Sequence, residues 1–470
     1  MIRFFNTLSG RVEEFKPLTA GRVGLYTCGP TVYAYPHIGN YRAYVFEDLL
    51  KRFLRFMGHD VYHVMNITDV DDKTIKGANS QGVGLQEYTR TYTRAFFEDI
   101  RLLNIRSADV YPRATEHIPE MVALIQGLVR KGFAYEKDGS VYFSIAKFPG
   151  YGRLSKIDLG QLRPGQRGEA DEYEKESVHD FALWKKSKEG ETFWDTELGP
   201  GRPGWHIECS AMSSKYLGQT FDIHCGGVDN IFPHHENEIA QSEAFSGRTF
   251  VNHWMHCHHL VVDGEKMSKS KGNFFTLRDV LRRNIDPLDI RFLLLGTHYR
   301  KILNFTFEAL DQAASGRRRI LDFVYELEHR SLAAGGRESW TALAHDAVAK
   351  FRQGLADDLN ISASLTALFE LIRAGHAGLA EGRIGTDDAQ ALLSCVRTMD
   401  EVLGVLPLGQ EVPLEERVLR KIEDRENARR AKDFKLADKI RAELLAEGVV
   451  LEDTREGVRW KTVKPDGRTP

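Results

Sequence analysis

The sequence predicts an α/β protein in which a parallel sheet is split by an insertion and followed by helical regions. Three observations carry this reading. Residues 22–57 run as a strand, a turn-rich loop and a helix. Sheet texture fades after about residue 135 and returns near 201. Beyond about 280 the pattern is almost wholly helical.

The opening unit sets the frame. R-V-G-L-Y-T-C-G reads as a buried strand, P-T-V-Y-A-Y-P as a loop, and H-I-G-N opens a helix. In that helix Val45, Leu49, Phe53 and Met57 recur every four residues, so Asp48, Lys51 and Arg52 are expected to turn outward. A strand feeding a helix through a short loop aims free backbone N–H groups and a positive dipole end at a phosphate. His37 and Asn40, three apart in the first turn, are expected to face one ligand, with Cys28 at the strand end as a possible soft metal ligand.

D-V-Y-H-V-M-N-I-T-D-V-D-D-K reads as a second strand entering an acidic loop. Helical periodicity follows to Asn104 and again from Glu116 to Lys131. A hairpin around Val141–Ser144 and a polar, Gly-rich stretch look like an insertion with long loops. Parallel-sheet texture is expected to resume with G-R-P-G-W-H-I-E-C-S and F-D-I-H-C-G-G-V-D. Loops at Ala333–Gly336 and Leu408–Pro413 set off a helical bundle, and a charged helical run from Leu414 to Ala446 ends in a hairpin, G-V-V-L-E-D-T-R-E-G-V-R-W-K.

At 470 residues the chain suggests three or four domains. A net charge of −3 excludes a global basic field, so any RNA contact must come from local patches. No apolar run approaches membrane-spanning length, and no membrane association is expected. Five scattered cysteines without close pairs are a reduced pattern, and a cytoplasmic location is expected. The second chemical anchor is D-G-E-K-M-S-K-S-K-G-N, residues 263 to 273. Lysines flanked by Ser and Gly suit a ligand whose negative charge develops during reaction.

H-I-G-N resembles the first nucleotide-binding motif of class I aminoacyl-tRNA synthetases, usually H-I-G-H, and K-M-S-K-S is their second motif. C-G-P-T-V-Y, N-I-T-D-V-D-D-K, P-G-W-H-I-E-C-S-A-M and F-P-H-H-E-N-E-I-A-Q-S are similar to the cysteinyl-tRNA synthetase family over essentially the whole chain. The resemblance implies a class I Rossmann-like sheet, a helical bundle and a small α+β anticodon-binding domain. It implies one Zn²⁺ per chain on Cys28, Cys209, His234 and Glu238, and Mg²⁺ with ATP. His37, Gly39, Asn40, Asp229, Lys266 and Lys269 would serve ATP; of these, His37, Asn40, Lys266 and Lys269 would be catalytic. Cys28, Gly29, Thr68, Trp205 and His224 would line the L-cysteine site. The partner implied is tRNA-Cys, and a monomer is expected.

The division implied is 1–113 and 203–250 for the two catalytic halves, 114–202 for the insertion, 251–325 for a stem-contact segment, 326–407 for the bundle and 414–470 for the anticodon end. Asn40 departs from the family's second His and can never carry charge. Cys225 stands where Gly is common and reads as a tolerated small residue. H-H-E-N-E-I-A lacks the second His of a metalloprotease motif. A cysteine–aminosugar ligase of the same ancestry is disfavoured because this chain retains the C-terminal segment. A catalytically dead RNA-binding relative is disfavoured by the intact K-M-S-K-S and zinc-site residues.

Overall fold

The structure, a computed structural model, describes residues 1–157, 180–330, 332, 340–406, 414–431, 433–446, 449–454 and 457–462. The polar stretch at 160–177 and the loops at 333–336 and 408–413 lie outside the described residues, as does the side chain of Lys269.

A hairpin of β1 (Arg3–Asn6) and β2 (Arg11–Glu14) precedes β3 (Arg22–Thr27), which leads through the Cys28–Pro36 loop to α1 (Ile38–Phe56) and then β4 (Asp60–Met65). Helices α2 (Asp72–Gln81), α3 (Leu85–Leu102) and α4 (Ile118–Arg130) follow. Next come β5 (Ala134–Lys137), β6 (Ser140–Phe143), β7 (Phe181–Lys186) and β8 (Gly201–Pro203), an antiparallel sheet of their own. The chain re-enters the first layer with α5 (Trp205–Leu217), β9 (Phe221–Gly227), α6 (Glu236–Ser246) and β10 (Val251–Cys257).

The central sheet is four-stranded and parallel, in the order β10-β9-β3-β4. G-R-P, expected to restart it, is instead the edge strand β8 of the insertion's sheet, with Trp184 opposite Pro203. The parallel sheet resumes only at Phe221, because W-H-I-E-C-S starts a helix.

β11 (Leu260–Val262), β12 (Glu265–Lys266) and β13 (Leu303–Phe305) form a small mixed sheet that carries K-M-S-K-S. Between β12 and β13 lie α7 (Leu277–Leu281) and α8 (Pro287–Leu295). The helices α9 (Phe307–His329), α10 (Thr341–Ala356), α11 (Ile361–Ala380) and α12 (Thr386–Leu403) pack as a bundle continuous with the main core. α13 (Leu414–Arg430), α14 (Phe434–Ala446) and the hairpin of β14 (Val449–Thr454) and β15 (Gly457–Thr462) enclose a separate small core of Val418, Ile422, Ile440, Leu444, Val449 and Leu451.

A second expectation is also corrected. Asp48, Lys51 and Arg52 of α1 are not outward; all three are buried, because α1 is covered by the sheet on one side and by α8 and α12 on the other. Their charges are matched. Asp48 accepts from Arg52 Nε at 2.7 Å, from Arg291 Nη2 at 2.6 Å and from the Arg106 N–H at 2.9 Å. Lys51 Nζ donates to the Ser107 carbonyl at 2.6 Å. Buried charge survives only with such partners.

Candidate active site

The site lies at the carboxyl ends of β3 and β9, where an open parallel sheet exposes loop backbone. Cys28 follows β3 directly, and its N–H donates to the Cys225 carbonyl of β9 at 3.2 Å. Gly29 is forced: a Cβ there would run into the Asn66 carbonyl. Its N–H donates to Asn66 Oδ1 at 3.0 Å, Asn66 Nδ2 donates to Thr68 Oγ1 at 3.1 Å, and Thr68 Oγ1 donates to Glu208 Oε2 at 3.0 Å. Thr68 is thereby tied to the helix that carries Cys209.

Around Cys28 the donor atoms converge. Those of Cys28, His234, His235 and Glu238 all lie within 4.8 Å of one another. His234 Nε2 is 3.1 Å from Glu238 Oε1, one helical turn away at i, i+4. His224 Nε2 hydrogen-bonds Glu238 Oε2 at 3.0 Å. Cys209 is buried and hydrogen-bonds Cys28, the main reason the Cys28 thiol is held well above its usual range, ahead of burial. Trp205, 42% exposed, stacks on the His234 ring at 4.2 Å.

Burial holds His224 and His234 down at about 3 and pushes the Glu238 carboxyl up to about 7. The imidazoles are therefore neutral, with lone pairs to give. Thiol, imidazole and carboxylate within one small volume make a donor set that could hold a metal ion. Among the described residues Glu238 Oε1 is buried and accepts no hydrogen bond, although His234 Nε2 stands 3.1 Å away, which suits an oxygen that would share a cation with that ring.

Sequence reasoning passed over His235 and its neighbours. His235 Nε2 is 3.2 Å from Cys28 Sγ, and its Nδ1 hydrogen-bonds His256 Nε2 at 2.8 Å. His206 Nδ1 lies 2.9 Å from His234 Nδ1. The doubled His in F-P-H-H-E was the available signal. His256, two residues from Trp254 on β10, falls on the same strand face by period-2 alternation.

At the start of α1 the two residues expected to face a ligand instead cap the helix together. The Asn40 N–H donates to His37 Nδ1 at 3.3 Å, and the His37 N–H donates to Asn40 Oδ1 at 3.0 Å. With Nδ1 accepting, the proton of neutral His37 sits on Nε2, leaving a donor free. Burial depresses His37, with Asp229 acting against it, so the neutral form holds at pH 7. That same interaction puts Asp229, exposed just after Gly227, within electrostatic reach of His37.

The two lysine- and histidine-bearing motifs meet here. The Ile38 N–H donates to the Phe275 carbonyl at 3.0 Å, and the His37 ring meets Phe274 edge-on at 5.4 Å. A Cβ on Gly39 would stand 2.7 Å from the Met267 methyl, so Gly is what lets K-M-S pack on H-I-G. Lys266 is exposed beside them, with its carbonyl accepting from Asn273 Nδ2 at 3.3 Å.

Comparison with known proteins supplies the family. The family described as "tRNA synthetases class I (C) catalytic domain" matches residues 14–315, and a DALR domain matches 350–407. A cysteine–tRNA ligase of Chlamydia trachomatis serovar A is 50% identical over 473 residues, covering 97% of this chain and 98% of that relative. Another, from Brachyspira hyodysenteriae, is 47% identical and covers 98% and 99%. Among solved structures, Mycobacterium tuberculosis methionyl-tRNA synthetase in complex with methionyl-adenylate superposes with a TM-score of 0.57 at 15% identity, over 82% of this chain and 90% of the other. That likeness bears on the fold alone. The sequence matches span nearly every residue, and the chain belongs to the cysteine–tRNA ligase family of class I aminoacyl-tRNA synthetases.

Proposed function

We propose that this chain activates L-cysteine with ATP to cysteinyl-adenylate and passes the cysteinyl group to the 3′ end of tRNA-Cys. The observation that carries the reading is the convergence of thiol, imidazole and carboxylate donors beside the H-I-G-N helix start, in a chain about half identical to cysteine–tRNA ligases.

Activation joins the cysteine carboxylate to the α-phosphate of Mg·ATP and releases pyrophosphate. The helix start of α1, the His37 Nε2–H, Asn40 and the lysines Lys266 and Lys269 meet the charge that builds on the phosphates. Gly39 admits the backbone closely, and Asp229 takes the ribose hydroxyls. Gly29, Thr68, Trp205 and His224 hold the amino acid. The terminal adenosine hydroxyl then attacks the activated carbonyl, with AMP leaving, and no side-chain nucleophile is needed.

Cys28, Cys209, His234 and Glu238 would hold zinc, with His235 as a further donor at hand. When bound, that ion favours a substrate thiolate over an alcohol, which supplies the selectivity against serine that shape cannot. Residues 1–113 and 203–250 are taken as the catalytic halves, 114–202 as the insertion and 251–325 as a stem-contact segment. Residues 326–407 are taken as the bundle and 414–470 as the anticodon end. The deciding experiment is cysteine-dependent ATP–pyrophosphate exchange followed by charging of tRNA. Exchange with another amino acid instead of cysteine would overturn the assignment.

A further inference from the structure

We infer that the loop between Cys28 and His37 is a stacking platform for the unpaired 3′ end of the tRNA, built on Tyr33 and Tyr35. The inference rests on the charging reaction proposed above and names where its RNA substrate is held.

The loop is clamped rather than loose. The Val32 N–H donates to the Thr68 carbonyl at 3.1 Å, and the Thr68 N–H donates to the Pro30 carbonyl at 3.1 Å. The Tyr88 hydroxyl donates to the Tyr33 carbonyl at 2.7 Å. Tyr92 on α3 packs edge-on against both Tyr35, at 5.3 Å, and Tyr88, at 5.1 Å.

On this fixed frame both tyrosines keep part of their surface exposed: Tyr33 is 39% exposed and Tyr35 is 41% exposed. Cations sit over both. Lys73 Nζ lies 5.2 Å from the Tyr33 ring centre, and the Arg278 guanidinium lies 4.9 Å from that of Tyr35. Arg278 is held there by Glu98 at 2.6 Å, and Lys73 and Lys76 are exposed along α2. Rigid exposed aromatics interleaved with cations are what single-stranded nucleic acid binds, since every base has a π-face and every linkage a charge.

Position decides the occupant. The loop spans from the residue at the thiol site to the residue at the phosphate site, so it borders the mixed anhydride that the acceptor hydroxyl must reach. An RNA end arriving there meets these rings first.

The test uses the full chain carrying Tyr33→Leu, Tyr35→Leu or Tyr35→Trp. Cysteine-dependent ATP–pyrophosphate exchange is measured first, then single-turnover transfer from preformed adenylate to tRNA-Cys transcript. Binding is compared for intact transcript and transcript lacking its unpaired 3′-terminal nucleotides. Both Leu variants are expected to exchange normally, which also shows them folded. Each should lose about tenfold to 100-fold in transfer, in line with base–aromatic stacking. Tyr35→Trp should restore transfer, and the Leu variants should lose little affinity for the shortened transcript.

Normal transfer by both Leu variants would overturn the platform while leaving the charging reaction intact. A raised KM for ATP in exchange would overturn it in favour of an adenine site. Equal loss of affinity for both transcripts would overturn it in favour of a contact elsewhere on the RNA. Failure of the unaltered chain to charge tRNA would instead sink the reaction itself.

Discussion

Asn40 separates capping from electrostatics at the start of α1, where the proposed reaction places the phosphates of ATP. Its Oδ1 accepts from the His37 N–H at 3.0 Å, and its own N–H donates to His37 Nδ1. Asn40→Ala removes one of these two reciprocal bonds, worth about 1 kcal/mol. If that loss falls wholly on the placement of His37, adenylate formation slows by about fivefold to tenfold. Asn40→His can rebuild the cap through its ring and should change the rate by at most roughly tenfold. Asn40→Asp keeps an acceptor in the same place but adds a negative charge beside the phosphates. Two like charges about 4 Å apart in a partly buried site repel by about 4 kcal/mol, close to 10³-fold in rate. Rapid-quench measurement of cysteinyl-adenylate formation distinguishes these variants. An Ala variant as fast as the unaltered chain would show that Asn40 has no part in activation. An Asp variant as fast would show that no phosphate approaches the start of α1.

Deleting residues 414–470 should leave exchange near normal and abolish charging. That segment has its own small core and meets α3 through the exposed pairs Arg94–Glu423, at 3.3 Å, and Arg90–Glu426, at 3.6 Å. Charging by the full chain should also weaken with salt as phosphate contacts release counterions. Cys209→Ser should lower the zinc content found by elemental analysis and impair cysteine activation far more than ATP binding; retention of full zinc would remove Cys209 from the ligand set. Asp99, which accepts from the Tyr41 hydroxyl at 2.6 Å, is raised by burial to about 6, above its unfolded value near 3.9. The folded state then holds the extra proton between those values, so its contribution falls as pH rises, by up to about 3 kcal/mol. Asp99→Asn should therefore gain melting temperature relative to the unaltered chain as pH goes from 4 to 7. Arg291→Met takes away one of the two guanidinium partners of Asp48, leaving Arg52, and removes the donor to the buried carbonyls of Leu103, Asn104 and Leu403, so it should cost about 3 kcal/mol in denaturant melts.

The chemistry was legible in the sequence wherever it followed a local rule. The strand into α1, the hairpin near 141, the helix runs and the 449–462 hairpin all rest on periodicity, and all stand in the structure. The proposed donors Cys28, Cys209 and the His234–Glu238 pair come from three separate places in the chain, and no spacing rule joins the three; only the family resemblance did. His235 and His256 were missed because their importance arises from β9, β10 and α6 meeting. The outward placement of Asp48, Lys51 and Arg52 failed for a related reason. A periodicity argument assigns polar residues to solvent and cannot see that a second layer of helices will cover that face.

That covered face explains how two motifs more than 200 residues apart hold one geometry. Arg291, on α8, reaches Asp48 at 2.6 Å, nearly three turns into the helix that H-I-G-N begins. The same guanidinium donates to the carbonyls of Leu103 at 3.0 Å, Asn104 at 3.1 Å and Leu403 at 2.7 Å, at the ends of α3 and α12. Arg52 repeats the pattern, reaching the carbonyls of Asn104 at 2.5 Å and Glu401 at 3.1 Å. A buried ionic knot of this kind adds little net stability over an apolar packing. Its directional bonds do what apolar contact cannot, because each fixes an angle as well as a distance. The Ile38–Phe275 bond and the Gly39–Met267 contact then inherit a fixed register, which holds the start of α1 against the lysine loop.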